Sequence, residues 1–587
     1  MNMATAIPGV IQHAVQSGSV TLAVYSRGNP QHPTVVLVHG YPDSSSVWDR
    51  VAGHLAADFH VVTYDVRGAG ASDRPSRTKD YKFELLANDL ACVIDAVSPE
   101  RPVHLVGHDW GSIQSWEAVC RPELQARIAS FTSISGPCFD HAGHWLRRRL
   151  FSLRPRYWLE FFGQLLRSWY IIAMHVPLLV PMAWRLGLAR LWPQFLRHVE
   201  GASNQPQPTR LADGQTGVRL YRANFFAALW RPRERRTQVP VLLLRPAREH
   251  YVSPHINDDL RQWAPRLWQR DIAAGHWPQL SRPHAVATNV REFAQCIERG
   301  DETAALRRSR VSNTRKSYSG KLAIVTGAGS GIGREVLFDF AERGAVVVAV
   351  DINQAAAERS ARLARLLGAE AHAFRVDVGS TAEMTAFAGR IASELGAPDI
   401  VVNNAGIGIA GAFLDTEAED WERVLNVNLW GVIHGARLFG RQMVAAGKVG
   451  NIINVASAAA FSPSRVLSAY ATSKAAVFML SDCLRGELAA QGIQVSTICP
   501  GFVDTAISTS TRFVGVDAGE QERKRDASKR LYQLRNLKPQ AVSSAIRRAV
   551  DSGQPVVLIG IEARSMRLLH GLAPWLTRAM AKVDLTP

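Results

Sequence analysis

Twice along this chain an apolar run feeds a glycine-flanked turn that opens a helical pattern. Residues 103–106 lead into Gly107-His108-Asp109-Trp110-Gly111, and residues 322–325 lead into Thr326-Gly327-Ala328-Gly329-Ser330-Gly331-Ile332-Gly333. Strand, tight turn and helix in that order are the unit of a parallel α/β sheet. The chain has 587 residues, too many for one core, because single cores stop growing near roughly 250–300 residues. Two α/β domains of near-equal size follow. Around the first turn, strand-like runs at 34–39, 60–65, 103–107 and 128–135 alternate with helical segments. Residues 137–238 then read as a helical insertion that caps the strand ends, with strand-like 239–244 resuming the sheet. Around the second turn, candidate strands at 322–326, 346–351, 372–376, 400–403, 451–456, 494–498 and 556–559 describe a Rossmann-type, doubly wound parallel sheet. Polar and basic residues 301–319, with Arg307, Arg308, Arg310, Arg315 and Lys316, form the expected linker between domains at 1–300 and 320–587.

Apolar content of 47% with 20% charged residues excludes a disordered chain and a membrane bundle. The formal charge of +17 is unevenly spread: residues 137–240 hold 16 Arg, among them Arg147, Arg148 and Arg149, no Lys and 5 acidic residues. The same stretch is rich in Trp, Leu and Phe, which points to anionic lipid or an acyl substrate; arginines solvated on helices are the plainer reading. No nucleic-acid module is recognisable, so no nucleic-acid partner is expected. Six cysteines (92, 120, 138, 296, 483 and 499) stand singly, without metal-ligand spacing, and read as reduced core thiols of a cytoplasmic protein that binds no metal. Residues 1–19 lack a basic start followed by an apolar run, so no secretory signal is expected. The greasy stretch 171–184 contains Pro177 and Pro181 and is too short to span a bilayer, leaving peripheral contact with the inner face of the membrane as the expectation.

In the first domain, small residues at 107, 111 and 112 let the backbone fold sharply around Asp109, which projects its carboxylate above the sheet as a nucleophile. An aspartate capping the next helix is the plainer alternative. His39-Gly40-Tyr41-Pro42, after an early strand, would set the Tyr41 N–H beside that of Trp110 as an oxyanion hole. His276, in Gly275-His276-Trp277-Pro278, falls late in the domain, where a histidine activates water. Glu249, after strand 239–244, can orient it through the other ring nitrogen, with Asp258 as the fallback acid. With Asp65-Val66-Arg67-Gly68-Ala69-Gly70-Ala71-Ser72, these segments resemble the epoxide hydrolases of the α/β-hydrolase fold over residues 5–298. The branch with an aspartate nucleophile also holds haloalkane dehalogenases, which commonly carry Asn where this chain has Tyr41. The resemblance implies that Tyr170 and Tyr221, on the cap, donate hydrogen bonds to the epoxide oxygen. Glu249 in place of the family's more usual Asp, and Ser281 where an acid is frequent, depart from the pattern.

In the second domain, the glycine turn lets a backbone approach a pyrophosphate at a helix N-terminus. Asp351 ends the next candidate strand, placed for the adenosine ribose hydroxyls. Downstream come Asp377-Val378, Asn404-Ala405-Gly406, Asn428, Ser457, Tyr470, Lys474 and Pro500-Gly501. The set resembles the short-chain dehydrogenases/reductases over residues 320–565. Tyr470 is the expected acid-base, with Lys474 one turn on favouring its phenolate and Ser457 binding the substrate oxygen. The resemblance assigns a relay water to Asn428, and cofactor binding to Gly327, Ser330, Gly331, Ile332, Gly333, Asp351, Asp377, Val378, Asn404, Ala405, Gly406, Pro500 and Gly501, with Val503 and Thr505 on the carboxamide. The Asp351 carboxylate repels a 2′-phosphate, and Ile352 and Asn353 offer no cation, so NAD is expected over NADP, with Arg334 the feature that would admit NADP.

Hydrolase followed by dehydrogenase also resembles the epoxide hydrolase D type of fusion of mycolic-acid-bearing actinobacteria. That resemblance implies a bifunctional enzyme of lipid metabolism. One activity would turn a lipophilic epoxide into a vicinal diol through an ester on Asp109; the other would act on an alcohol or ketone. It also implies a homo-oligomer through the dehydrogenase domain. Two alternatives stand beside it: a first half reduced to a lipid-docking module, and a first half acting as a dehalogenase.

Overall fold

The computed structural model describes residues 9–202, 207–312, 316–505 and 510–582. Arg315 of the expected linker and residues 1–8 of the N-terminal stretch lie outside them. The chain divides into two compact units, Met1–Val311 and Ser312–Pro587.

The first unit is built on an eight-stranded sheet of order β1-β2-β4-β3-β5-β6-β7-β8. Its strands are β1 (Ile11–Ser17), β2 (Val20–Arg27), β3 (Thr34–Val38), β4 (His60–Tyr64), β5 (Val103–His108), β6 (Ile128–Ile134), β7 (Val241–Pro246) and β8 (Leu267–Ile272). β2 pairs antiparallel with β1 and β4, and every later pairing is parallel. Period-2 alternation sends Val36 and Val38 of β3 into one core layer and Val35 and Leu37 into the other. Both faces are therefore covered, as a parallel sheet requires. Between β6 and β7 the chain leaves the sheet through helices running from Phe139–Leu150 to Val218–Trp230, which is the expected cap.

The expected linker is shorter than its composition suggests. Ala304–Arg308 is a helix whose Leu306 is fully buried against Trp268 and Phe293. The Ser309 carbonyl accepts from the Gln269 N–H, and the Val311 N–H donates to the Leu267 carbonyl, so residues 304–311 finish the edge of the first unit. Tyr318 is likewise buried in the second unit, its hydroxyl 2.5 Å from Asp551. The basic side chains on this stretch masked one anchoring leucine and one anchoring tyrosine.

The second unit carries a seven-stranded, all-parallel sheet of order β11-β10-β9-β12-β14-β15-β17. The strands are β9 (Leu322–Thr326), β10 (Val346–Asp351), β11 (Ala371–Arg375), β12 (Ile400–Asn403), β14 (Gly450–Val455), β15 (Ile493–Pro500) and β17 (Val556–Ile559). Two-residue strands β13 (Ile409–Ala410) and β16 (Arg512–Phe513) pair separately. Strand order reverses between β9 and β12, which opens a crevice above their carboxyl ends. All six cysteines are free thiols, but Cys483 is exposed rather than a core residue.

Candidate functional sites

In the first unit, four loops at the carboxyl ends of parallel strands converge. Asp109, after β5, has φ 50° and ψ −121°, a strained elbow at which an ordinary side chain survives only if its surroundings hold it. They do so through missing side chains. A methyl group on Gly111 would run into the Val38 carbonyl, and one on Gly136 into the Asp109 carbonyl. The Tyr41 N–H, after β3, donates to Asp109 Oδ2 at 2.9 Å. Asp109 is thus presented to the cavity rather than spent on capping its helix, for no side-chain cap bond forms there.

His276, after β8, is buried with its Nε2 3.6 Å from Asp109 Oδ1. Both Glu249 carboxylate oxygens lie 2.9 Å from its Nδ1. Burial alone would lower the imidazole pKa, but the Glu249 and Asp109 carboxylates outweigh it and push His276 up to about 10. Glu249 is pushed up by burial and pulled further down by His276, to about 2. The extra methylene of glutamate is absorbed by the Tyr251 N–H, which donates to Glu249 Oε1 at 2.9 Å. Asp258, the fallback, pairs instead with His255 and Arg149 and takes no part.

The two cap tyrosines meet over this group. Tyr170, on helix Trp169–His175, and Tyr221, on helix Val218–Trp230, have ring centroids 6.2 Å apart, and their hydroxyls are hydrogen-bonded to each other. Burial, and then the Asp109 charge and the neighbouring phenol, raise both pKa values, so both phenols stay protonated. The Tyr41 ring is committed elsewhere, its hydroxyl donating to the Gly214 carbonyl at 2.9 Å and accepting from Trp184 Nε1 at 2.8 Å.

Several supporting residues escaped the sequence reading. His108, held neutral by burial with a pKa near 4, bonds through Nε2 to the His276 carbonyl at 2.7 Å and through Nδ1 to Gln279 at 2.9 Å. Asp43 accepts from Trp277 Nε1 at 2.9 Å, and burial raises it to about 7. Its place beside the Tyr41 turn was a signal, since it is two residues on. Glu200, a buried cap carboxylate raised by burial, accepts from the Trp277 N–H at 3.4 Å, and nothing in the sequence marked it.

In the second unit, the crevice is lined as expected. Gly327 has φ 66°, and a methyl group on Gly333 would strike the Gly327 carbonyl, so only this glycine pattern folds the turn tightly enough for a phosphate to reach the helix Gly331–Glu342. Ser330 caps that helix, Ile332 lies in its first turn, and Thr505 packs against Gly331. Asp351 ends β10, accepting from the Gly329 N–H at 2.9 Å and from the Asn353 N–H at 2.9 Å. Asp377 folds its loop by accepting from the Gly379 N–H at 2.9 Å, beside buried Val378. Across the crevice, Asn404 Nδ2 donates to the Thr326 carbonyl at 3.0 Å, and the Ala405 N–H to Thr326 Oγ1 at 3.1 Å, which ties the β12 turn to the β9 turn. Gly406 faces Asn428 and Lys474, while Pro500 and Gly501 end β15 and Val503 is buried beyond them. This cradle fits a nicotinamide dinucleotide.

Asn428 lies in the wide helical turn Asn426–Trp430, an irregularity of the kind found at functional sites. Its Oδ1 accepts from the Ile407 N–H at 2.8 Å and its Nδ2 donates to Ser473 at 3.2 Å. Tyr470 and Lys474 share one face of helix Ser468–Leu488, and Ser457 hydrogen-bonds Tyr470. The expected phenolate is not favoured here. Burial raises the Tyr470 pKa, the Ser457 bond opposes it, and Lys474 Nζ stays 5.9 Å from the ring centroid, donating to the Val455 carbonyl at 3.0 Å. Burial also lowers Lys474 to about 8, because desolvation acts on both groups at once.

Comparison with known proteins agrees with both halves. Residues 33–283 match the family described as alpha/beta hydrolase fold, and residues 321–513 match short chain dehydrogenase. The chain is 41% identical over 576 residues to the "Probable oxidoreductase EphD" of Mycobacterium tuberculosis and of Mycobacterium bovis, covering 96% of this chain and 97% of theirs. The "Putative oxidoreductase SadH" of Mycobacterium tuberculosis is 31% identical over 255 residues, 43% of this chain and 91% of that protein. Matched along nearly its whole length, this chain belongs to the EphD family, in which an α/β-hydrolase-fold unit is joined to a short-chain dehydrogenase unit.

Proposed function

We propose that the first unit is an epoxide hydrolase acting on a lipophilic epoxide, and that the second oxidises or reduces an alcohol/ketone pair with NAD in preference to NADP. The observation that carries the first reading is the pair of protonated cap phenols, Tyr170 and Tyr221, within electrostatic reach of Asp109. An Asp109 oxygen attacks an epoxide carbon and the ring C–O bond breaks. The released oxygen takes its proton from the phenol pair, leaving a hydroxyalkyl ester on Asp109. Ester formation removes one of the two charges that hold His276 protonated, so its pKa falls and the imidazole becomes a base. It deprotonates a water that attacks the ester carbonyl, while the Tyr41 and Trp110 N–H groups take up the oxyanion. The acyl bond then breaks and a vicinal diol leaves. A dehalogenase reading is disfavoured because the Tyr41 hydroxyl is already committed to Gly214 and Trp184. A purely lipid-docking first half is disfavoured by the intact Asp109, His276 and Glu249 constellation.

In the second unit, Ser457 and Tyr470 orient the substrate oxygen, Tyr470 moves its proton, and Lys474 with Asn428 holds the proton path behind it. The nicotinamide, when bound, supplies or accepts the hydride. The preference for NAD rests on the Asp351 carboxylate at the ribose end of the crevice. A role in lipid metabolism, a cytoplasmic location against the inner membrane face, and a homo-oligomer built on the dehydrogenase unit complete the reading.

Replacing His276 with Gln tests the hydrolase mechanism. Attack survives and water activation is lost, so intact-protein mass should rise by the mass of an added fatty epoxide, localised to the peptide holding Asp109. Halide release from a haloalkane, with no adduct from any epoxide, would overturn it.

A further inference from the structure

Helix Pro155–Arg167 of the cap is inside out. Its buried residues are Glu160 and Gln164. Its exposed ones are Trp158, Leu159, Phe162, Leu165 and Leu166, of which Leu159 and Leu166 are each 75% exposed. The polar face is satisfied inward: Glu160 pairs with Arg149, and Gln164 bonds the Tyr251 carbonyl and the Ser253 N–H. The apolar face continues through exposed Trp169 and Ile172, then Leu178, Leu179, Met182 and Leu186. Exposed apolar area on this scale, contiguous along successive helices, marks an interaction surface.

The charge around the face is of one sign. Arg147, Arg148, Arg154, Arg156, Arg185, Arg190 and Arg197 are exposed. Every acidic residue from 139 to 202, namely Asp140, Glu160 and Glu200, is buried. Arg149 is the exception to the expected basic triplet: it is buried between Glu160 and Asp259, at 3.2 Å and 2.8 Å. No single helix among the described residues is long and apolar enough to cross a membrane, though Trp169–His175 and Leu179–His198 together meet that measure, bent by 96°. Apolar helices bent over a surface and rimmed by arginine suit a position on a bilayer rather than through it. Trp169 faces outward and the next residue, Tyr170, faces the Asp109 cavity, so one helix separates the surface from the chemistry.

We propose that the outer face of the cap, from Pro155 to His198, docks on an anionic lipid bilayer and receives lipophilic substrate from it. The docking stands on the surface alone; the delivery rests on the epoxide hydrolase reading. A second copy of this chain is the competing occupant, but seven exposed arginines without an exposed acid would repel their own image across a two-fold axis.

The full-length protein is mixed with vesicles of phosphatidylcholine, with or without phosphatidylglycerol, and floated on a density gradient. Binding to the anionic vesicles should fall by roughly tenfold or more between 50 mM and 500 mM salt, and tryptophan fluorescence should be quenched by brominated lipid. The variant Leu159→Glu/Leu166→Glu/Ile172→Glu should lose binding while keeping its melting temperature and its hydrolysis of a small water-soluble epoxide. Failure of that hydrolysis in the wild type would sink the enzyme reading and leave docking to be judged by flotation. Absence of vesicle binding, binding indifferent to lipid charge and salt, or self-association that the triple variant abolishes would each overturn the proposal.

Discussion

His276 is surrounded by acid: Glu249 and Asp109 bond it, and Asp43 and Glu200 lie within electrostatic reach. With His276 at about 10 and Glu249 at about 2, the pair adds stability that is whole between the unfolded values, 4.5 and 6.5. Its carboxylate share is lost as pH falls through 2, and its imidazolium share as pH rises through 10. The stability gap between wild type and Glu249→Gln, followed by denaturant unfolding, should therefore be widest near pH 5–6 and close toward pH 10; a gap that grew with alkali would contradict this assignment. At the other site, Asp351→Ala should narrow the preference for NADH over NADPH by on the order of tenfold in Kd, since one like charge is removed from the ribose end. A wild type that prefers NADPH would refute the argument. Asp109, His276, Tyr470 and Lys474 were legible because each sits in a motif that fixes local backbone. Asp43 and Glu200 were not, because their meaning comes from the Trp277 they hold, 234 and 77 residues away.

At the scale of elements, both sites exist because strand-to-helix turns are made from residues with almost no side chain. Gly111→Ala would press a methyl group into the Val38 carbonyl of a fully buried strand. Overpacking of this kind costs about 2 kcal/mol, and it would tilt the elbow carrying Asp109. Thermal unfolding should register the loss in the first unit, and hydrolysis should fall far more than the stability change explains; a variant with full activity would show the elbow to be tolerant. All seven strands of the second sheet were readable, being short apolar runs bounded by turn residues. In the first sheet β1, β2 and β8 were not. β1 and β2 form an antiparallel edge, with four of the first five β1 residues exposed. β8 reads Leu-Trp-Gln-Arg-Asp-Ile, and its Arg270 is paired with Glu292 at 2.5 Å, so the charge that argued against a strand is neutralised by tertiary contact.

At the scale of the whole molecule, the chemistry of the two units can be written in series. A vicinal diol carries a secondary hydroxyl that Tyr470 and Lys474 are placed to deprotonate as it is oxidised to an α-hydroxyketone. Joining the sites raises the local concentration of the diol without requiring a channel. Full-length protein given an epoxide and NAD+ should form NADH after a lag set by hydrolysis, and Tyr470→Phe should stop NADH while leaving diol formation intact. NADH from simple alcohols but from no diol of any chain length would establish two independent activities. The two-unit plan was legible from two glycine turns, but its boundary was not, because one buried leucine, Leu306, recruits a basic segment into the first unit. The cap has a last consequence. Its 16 arginines come without a single lysine between 137 and 240. A guanidinium stays charged at any physiological pH and, unlike an amine, is a poor target for activated acyl groups. A surface built to sit among fatty acyl donors is thereby proofed against chemical erosion of its charge, and its grip on an anionic partner would persist however acylating its surroundings become.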